Sequence, residues 1–161
     1  FEELIELNEI AGSLESSALE AAFYNIRDNA LEGMTSIVDE VLLRLGREDT
    51  SLCYEKNLDF HMLMIDECPN EALRAAVLRY RDLILDFPAK DINIHLKWEN
   101  IFWNEHRQMI DIVKNGDPKS LFDFSKYVHW GWEDKEEYFD ELYLVAFGTM
   151  KKYLASRPAA H

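Results

Sequence analysis

Three histidines and one asparagine are the residues whose types and spacing could do chemistry. Asn57 and His61 stand four residues apart in the stretch Asn57-Leu58-Asp59-Phe60-His61. On a helix this spacing puts both on one face, about 40° apart around the axis. A side-chain carbonyl and an imidazole one turn apart can chelate one ion. His106 follows Trp103-Asn104-Glu105, and His129 lies in Tyr127-Val128-His129-Trp130. Two further imidazoles from neighbouring helices would complete a mostly nitrogen shell, suited to Zn, Ni, Cu or Fe(II). Taken singly, a helical histidine is more often an ordinary core or surface residue, and His95 carries only that reading. Other chemistry is not signalled. The chain has no Gly-rich phosphate loop, no HExxH, no GxSxG and no paired Glu-x-x-His of a di-iron bundle.

The elements that must position these residues read as helices. Residues 2–26 carry Leu4, Leu7, Ile10, Ala11, Leu14, Ala18, Ala21 and Ala22 at mostly three- and four-residue steps. Gly12 and the Ser13–Ser17 region are places where that helix could bend. Asn29 is placed to cap a second helix, with Leu31, Met34, Ile37, Val38, Val41, Leu42 and Leu45 inward and Gly46 at its end. A third helix is expected from a Thr50 cap to about Cys68, where Pro69-Asn70 breaks the chain. A fourth runs from about Glu71 to Phe87 and stops at Pro88; a fifth spans about Asp91 to Lys114. Asn115-Gly116 then Asp117-Pro118 reads as a stop followed by a cap with proline at the first helical position. The last helical stretch extends from Pro118 towards Tyr153, with an interruption expected near Gly131. No strand alternation is long enough to trust. The expected fold is all-α, an antiparallel bundle of six or seven helices forming one domain over residues 1–161.

The 161 residues suffice to bury a core without staples, and with 48 % hydrophobic and 12 % aromatic residues the chain is not compositionally disordered. The formal net charge of −14 would repel a phosphate backbone or an anionic membrane, so this piece is not expected to hold either alone. Cys53 and Cys68 are the only cysteines and form neither a metal motif nor a disulfide framework; two buried thiols in a reducing cytoplasm are the expectation. No apolar run approaches the roughly 18 residues of a membrane span. Phe102, Trp103, Trp130 and Trp132 read as core packing rather than a ligand box.

The stretch Asn57-x-x-Phe60-His61, continuing through Met62-Leu63 to Pro69-Asn70, resembles the D/N-x-x-F-H signature of the FCD domain. This is the effector-binding half of FadR-type GntR transcription regulators. The order that follows is similar too: Arg81-Asp82-Leu83, then Glu105-His106, Ile110, Ile112-Val113, Asn115-Gly116-Asp117, and a helix carrying His129. The Glu6-Leu7 helix resembles the family's first. The resemblance covers roughly residues 3 to 131.

What the resemblance implies is a helical bundle whose central cavity binds a small metabolite. In many members one divalent metal (Zn, Ni or Fe) sits at the cavity floor, and its ligands fall on Asn57, His61, His106 and His129. It also implies an N-terminal winged helix-turn-helix domain, absent from this chain, that binds operator DNA in a bacterial homodimer. Two departures stand out. The family commonly places its last two histidines one residue closer together than His106 and His129, and Val128 holds the usual position. One extra residue turns a helical side chain by about 100°, so His129 reaches the site only if a bulge or a shifted helix start compensates. Many members also carry an arginine just after the Glu-Leu pair to grip a ligand carboxylate; this sequence has Asn8, leaving Arg79, Arg81 and Arg107 as the effector-binding candidates. Three alternatives stay open: a metal-free sensor of the acyl-CoA type, a helical metalloenzyme using the same histidines with Glu105, Asp59 or Asp66 as general base, and a purely structural interaction domain in which the histidines are incidental.

Overall fold

A computed structural model of the chain describes residues 2–85 and 96–131, with Lys135 and Glu137. Among these residues there are six α-helices, two π-helical turns and no strand. The helices are α1 (Glu2–Asn25), α2 (Leu31–Leu45), α3 (Cys53–Ile65), α4 (Glu71–Leu85), α5 (Leu96–Asn115) and α6 (Pro118–Phe124). The first π turn, π1, spans Ile26–Ala30; the second, π2, spans Ser125–His129. The expected end of the fourth helix at Phe87, the start of the fifth at Asp91, His95, Trp132 and the continuation towards Tyr153 lie outside the described residues.

α1 is the organising helix: it packs on α3, α4, α6 and π2, while α2 packs on α3 and α5. Its buried side chains include Asn8, Ala11, Glu15, Ser16, Ala18, Leu19, Ala22 and Phe23, and Ile26 of π1 continues the run. Small side chains recur along this run because neighbours approach from several directions. Gly12 shows the limit: a Cβ there would lie 2.6 Å from the Cβ of Trp130. Ala11, Ala18 and Ala22 are buried as expected, but Ile10 is 41 % exposed while the charged Glu15 is fully enclosed. An apolar-periodicity reading scores Ile10 as inward and cannot place a carboxylate there.

Asn29 does not cap α2. α1 passes through π1 into α2 without a break, and the Asn29 side chain instead donates to Glu67 Oε2 at 2.8 Å. Gly46 ends α2, but with an ordinary helical φ of −62°; the left-handed residue is Glu48, at φ 59°. α3 begins after Leu52, and Thr50 contributes its backbone carbonyl, to Cys53 N at 3.1 Å. Cys53 and Cys68 are free and buried, as expected. The core joins Phe23 and Ile26, Met34 and Val38 of α2, Phe60 and Met64 of α3, Trp103, Met109 and Val113 of α5, and Leu121 of α6. Each fully buried side chain of this size contributes roughly 1.5–3 kcal/mol. Among the described residues no helix is long and apolar enough to cross a membrane.

Asp117 caps α6 as expected: its carboxylate accepts from Ser120 N at 2.9 Å, with Pro118 next. The hydrogen bond from the Ser120 amide is the main reason its carboxyl is held below the ordinary 3.8. A carboxyl depressed in the folded state adds stability above its unfolded pKa and loses it as pH falls through the folded value. Asp117→Ala should therefore lower the melting temperature at pH 7, Asp117→Asn should largely preserve it, and the Ala deficit should shrink below about pH 4. Thermal melts across pH test this; a deficit that persists undiminished at low pH would show that the cap is not the cause.

Candidate metal centre

His61 comes from α3, His106 from α5 and His129 from the last position of π2. The His61 ring is 2 % exposed and His106 is fully enclosed. The three imidazoles converge: His61 Nε2 stands 3.3 Å from His106 Nε2 and 3.2 Å from His129 Nε2. They are the one group of three or more such residues among the described residues whose ligand atoms come together.

The extra residue before His129 is absorbed by π2. Trp130 N bonds to Ser125 O at 2.8 Å, an i to i+5 link that fits one more residue into the turn than an α-helix would. Val128 consequently turns outward and is 44 % exposed, while His129 faces the other two imidazoles. The bulge lies where the departure from the family's usual histidine spacing called for one.

Two carboxylates set the orientation of two rings. His61 Nδ1 lies 2.6 Å from Glu15 Oε1, and His129 Nδ1 lies 2.9 Å from Glu105 Oε2. Each Nδ1–H donates to its carboxylate, which leaves each Nε2 with a bare lone pair. His106 is oriented by aromatic packing, between Phe60 at 4.3 Å and Trp103 at 4.7 Å between ring centroids. Its Nδ1 is buried without a hydrogen-bond partner. Burial pushes both His61, to about 4, and His106 below the usual imidazole range; for His61 the neighbouring Glu15 opposes this only in part. Neutral imidazoles are the form that ligates metal.

Glu15 is itself supported. Burial raises its pKa, but His61 and Arg81 outweigh that and hold the carboxyl ionised. Arg81 is 6 % exposed, with Nε 3.8 Å from Glu15 Oε2, and its Nη1 is buried and unpartnered. Trp130 Nε1 donates to Glu15 Oε1 at 3.3 Å. On the other side Lys135 Nζ lies 3.0 Å from Glu105. The buried charges around the imidazoles thus balance, two carboxylates against two cations, before any ion is counted.

The donor set fits a divalent transition metal. Metal–nitrogen bonds of about 2.0–2.1 Å place two ligands about 3.0 Å apart at a right angle and about 3.4 Å apart in a tetrahedron. Two of the three nitrogen separations, 3.3 and 3.2 Å, fall between these values, and all three ligand atoms lie within 4.8 Å of one another. An Nε2–Nε2 contact of 3.2 Å is closed either by a proton on one ring or by a metal ion between them.

A family model for the FCD domain matches residues 6–124. The chain belongs to the FCD domain family. Neither the curated proteins nor the solved structures compared with it give a match. FCD is a family of regulatory domains, in keeping with the resemblance drawn from the Asn57–His61 and Glu105–His106 motifs. His129 lies five residues beyond the matched segment.

The remaining expected site residues fall in different places. Asn57 is half-buried one turn before His61 on α3. Arg79 is exposed on α4. Arg107 is exposed on α5 and pairs with Asp39 at 2.8 Å. Of the three arginines only Arg81 lies beside the imidazoles. Asn8 does not stand free in the arginine's usual place: its Nδ2 donates to Trp130 O at 2.9 Å. Trp103 is core, as expected, but Trp130 flanks the site, its ring 6.3 Å from His61 and 6.1 Å from His129. Glu15 and Lys135 were not visible as site residues in the sequence. The signal for Glu15 was a carboxylate one turn from Ala11 and from Ala18-Leu19, on an otherwise small and apolar stripe. For Lys135 there was none.

Proposed function

We propose that this FCD domain is the ligand-sensing half of a bacterial transcription regulator of the FadR-type GntR group, binding a small metabolite over one divalent metal. The observation that carries this reading is the convergence of three Nε2 atoms whose Nδ1 partners, for His61 and His129, are buried carboxylates. His61, His106 and His129 hold the metal, with Asn57 as the fourth ligand; the metal supplies an open position that anchors an effector's oxygen atoms. Arg81, whose Nη1 is buried and unpaired, is the donor for an effector carboxylate. In the full-length regulator an N-terminal winged helix-turn-helix domain binds operator DNA as a homodimer in the cytoplasm, and the effector biases its arrangement through the bundle. A sensing role also suits the carboxylates. Glu105 is committed to His129 and Lys135, while Asp59 and Asp66 are exposed, with Asp59 near Lys56.

Metal analysis of untagged protein tests the metal; melting with small mono- and dicarboxylates, with and without it, tests the effector. Near-stoichiometric metal and carboxylate stabilisation that requires it are expected. Protein that stays metal-free after loading and responds instead to acyl-CoA would overturn the metal-dependent reading.

A further inference from the structure

The π2 turn needs its own support. A π turn is rare and is normally seen as a single bulge within an α-helix, and here it closes the chain's run from α6 with Val128 and His129 at its end. Carbonyls in a helix's last turn have no partner further along the helix. One side chain collects them: Lys135 Nζ is 2.7 Å from Val128 O and 2.7 Å from His129 O. The same nitrogen is 3.0 Å from Glu105, the carboxylate that receives His129 Nδ1–H. An ammonium has three N–H donors, enough to reach both carbonyls and the carboxylate. Lys135 is 6 % exposed, so the arrangement is enclosed.

We propose that Lys135 is a positioning residue that fixes the π2 register, so that His129 rather than Val128 faces His61 and His106. This rests on the reading of the three imidazoles as a metal site. Without Lys135 the turn relaxes to the α register, in which Trp130 N would pair with Lys126 O. The ring of His129 then swings by about 100° and leaves the other two nitrogens. The domain thereby ties the presence of its third imidazole to the segment that follows residue 131, because Lys135 comes from that segment. The extra residue and the lysine belong together: the lysine is needed only because the turn is one residue too long.

Two substitutions separate this from a merely structural role. Lys135→Met keeps the aliphatic stem and removes the three donors. It is expected to weaken Zn binding by about 10- to 100-fold in a competition titration. X-ray absorption of the loaded protein should show the imidazole count falling from three to two. Deleting Tyr127, which is 65 % exposed, removes the extra residue and turns π2 into an α turn with the histidine still in place. That variant should keep three imidazoles, and adding Lys135→Met to it should change Zn affinity by no more than about twofold, the scatter of independent substitutions. A third imidazole retained at full affinity in Lys135→Met overturns the proposal; so does a third imidazole lost on deleting Tyr127. Should Lys135→Met not fold, the Tyr127 deletion decides alone. Should the parent chain bind no Zn, the metal reading fails and the register is still readable. Ring nitrogen shifts in metal-free protein should show His129 as a fixed Nδ1–H tautomer in the parent and an averaged one in Lys135→Met; an unchanged tautomer overturns the proposal.

Discussion

His61→Ala is expected to abolish metal binding outright, from about one ion per chain to none detectable in untagged protein. His61 is the hub of the cluster, since its Nε2 lies between those of the other two rings, at 3.3 and 3.2 Å. His106 and His129 alone make a two-point site, which does not retain a divalent ion through purification. The loss also reaches stability. A metal present at about a hundred times its dissociation constant adds about 2.7 kcal/mol to the folded state, and that contribution disappears. The metal-free variant suffers too, because the enclosed carboxylate of Glu15 loses its 2.6 Å partner. Leaving a buried acceptor unsatisfied costs about 1–3 kcal/mol, more when it is charged. Elemental analysis, with melting before and after metal loading, reads both effects. A His61→Ala protein that still melts higher with metal would locate the ion elsewhere and sink the assignment.

Replacing Glu15 alone should be among the most destabilising single changes in the chain. Glu15→Leu leaves Arg81 buried with its main counter-charge gone, and breaking a buried pair from one side costs about 3–5 kcal/mol. Replacing both members by apolar residues is different, since the attraction within a buried ion pair is largely offset by the cost of desolvating both charges. Glu15→Leu combined with Arg81→Met is therefore expected to recover most of the lost stability. It should not recover metal affinity. Without Glu15 no acceptor holds the proton on His61 Nδ1, so the ring is free to present the wrong tautomer, and losing the carboxylate that orients a ligand ring costs about 10- to 100-fold in affinity. Chemical denaturation and Zn titration of the two single variants and the double variant test the separation. If stability and affinity return together in the double variant, Glu15 acts only as packing.

Much of the fold was legible in the sequence. α2 shows its buried face at Met34, Val38, Val41 and Leu45 because one side of it meets the core and the other meets water. Asp117-Pro118 starts α6 because capping is a local event, decided within four residues. On α1 the periodicity places Ala11, Ala18 and Ala22 but not Ile10 or Glu15, because the helix is enclosed on several sides and small residues tolerate burial in any direction. Asn29 was misread as a cap because α1 and α2 are joined by π1; the bonds of a π turn are not written in any capping residue.

The sequence by itself determined which residue types could ligate and the helices that carry Asn57, His61 and His106. Those follow from residue type and from spacings of three and four, which are properties of a single helix. The family was read from a resemblance in motif order, and that resemblance set the condition that His129 needs one residue of slack. Only the tertiary structure decided that the condition is met. The groups that surround that slack come from outside π2: Lys135, six residues on, at its carbonyls, Glu105, 24 residues back, at the ring, and Asn8, 122 residues away, at Trp130. The charge partners of the site were decided there too, since Glu15 and His61 are 46 residues apart and no periodicity links them. Spacing along one helix is set by local geometry, whereas the meeting of side chains from different helices is set by how the helices pack.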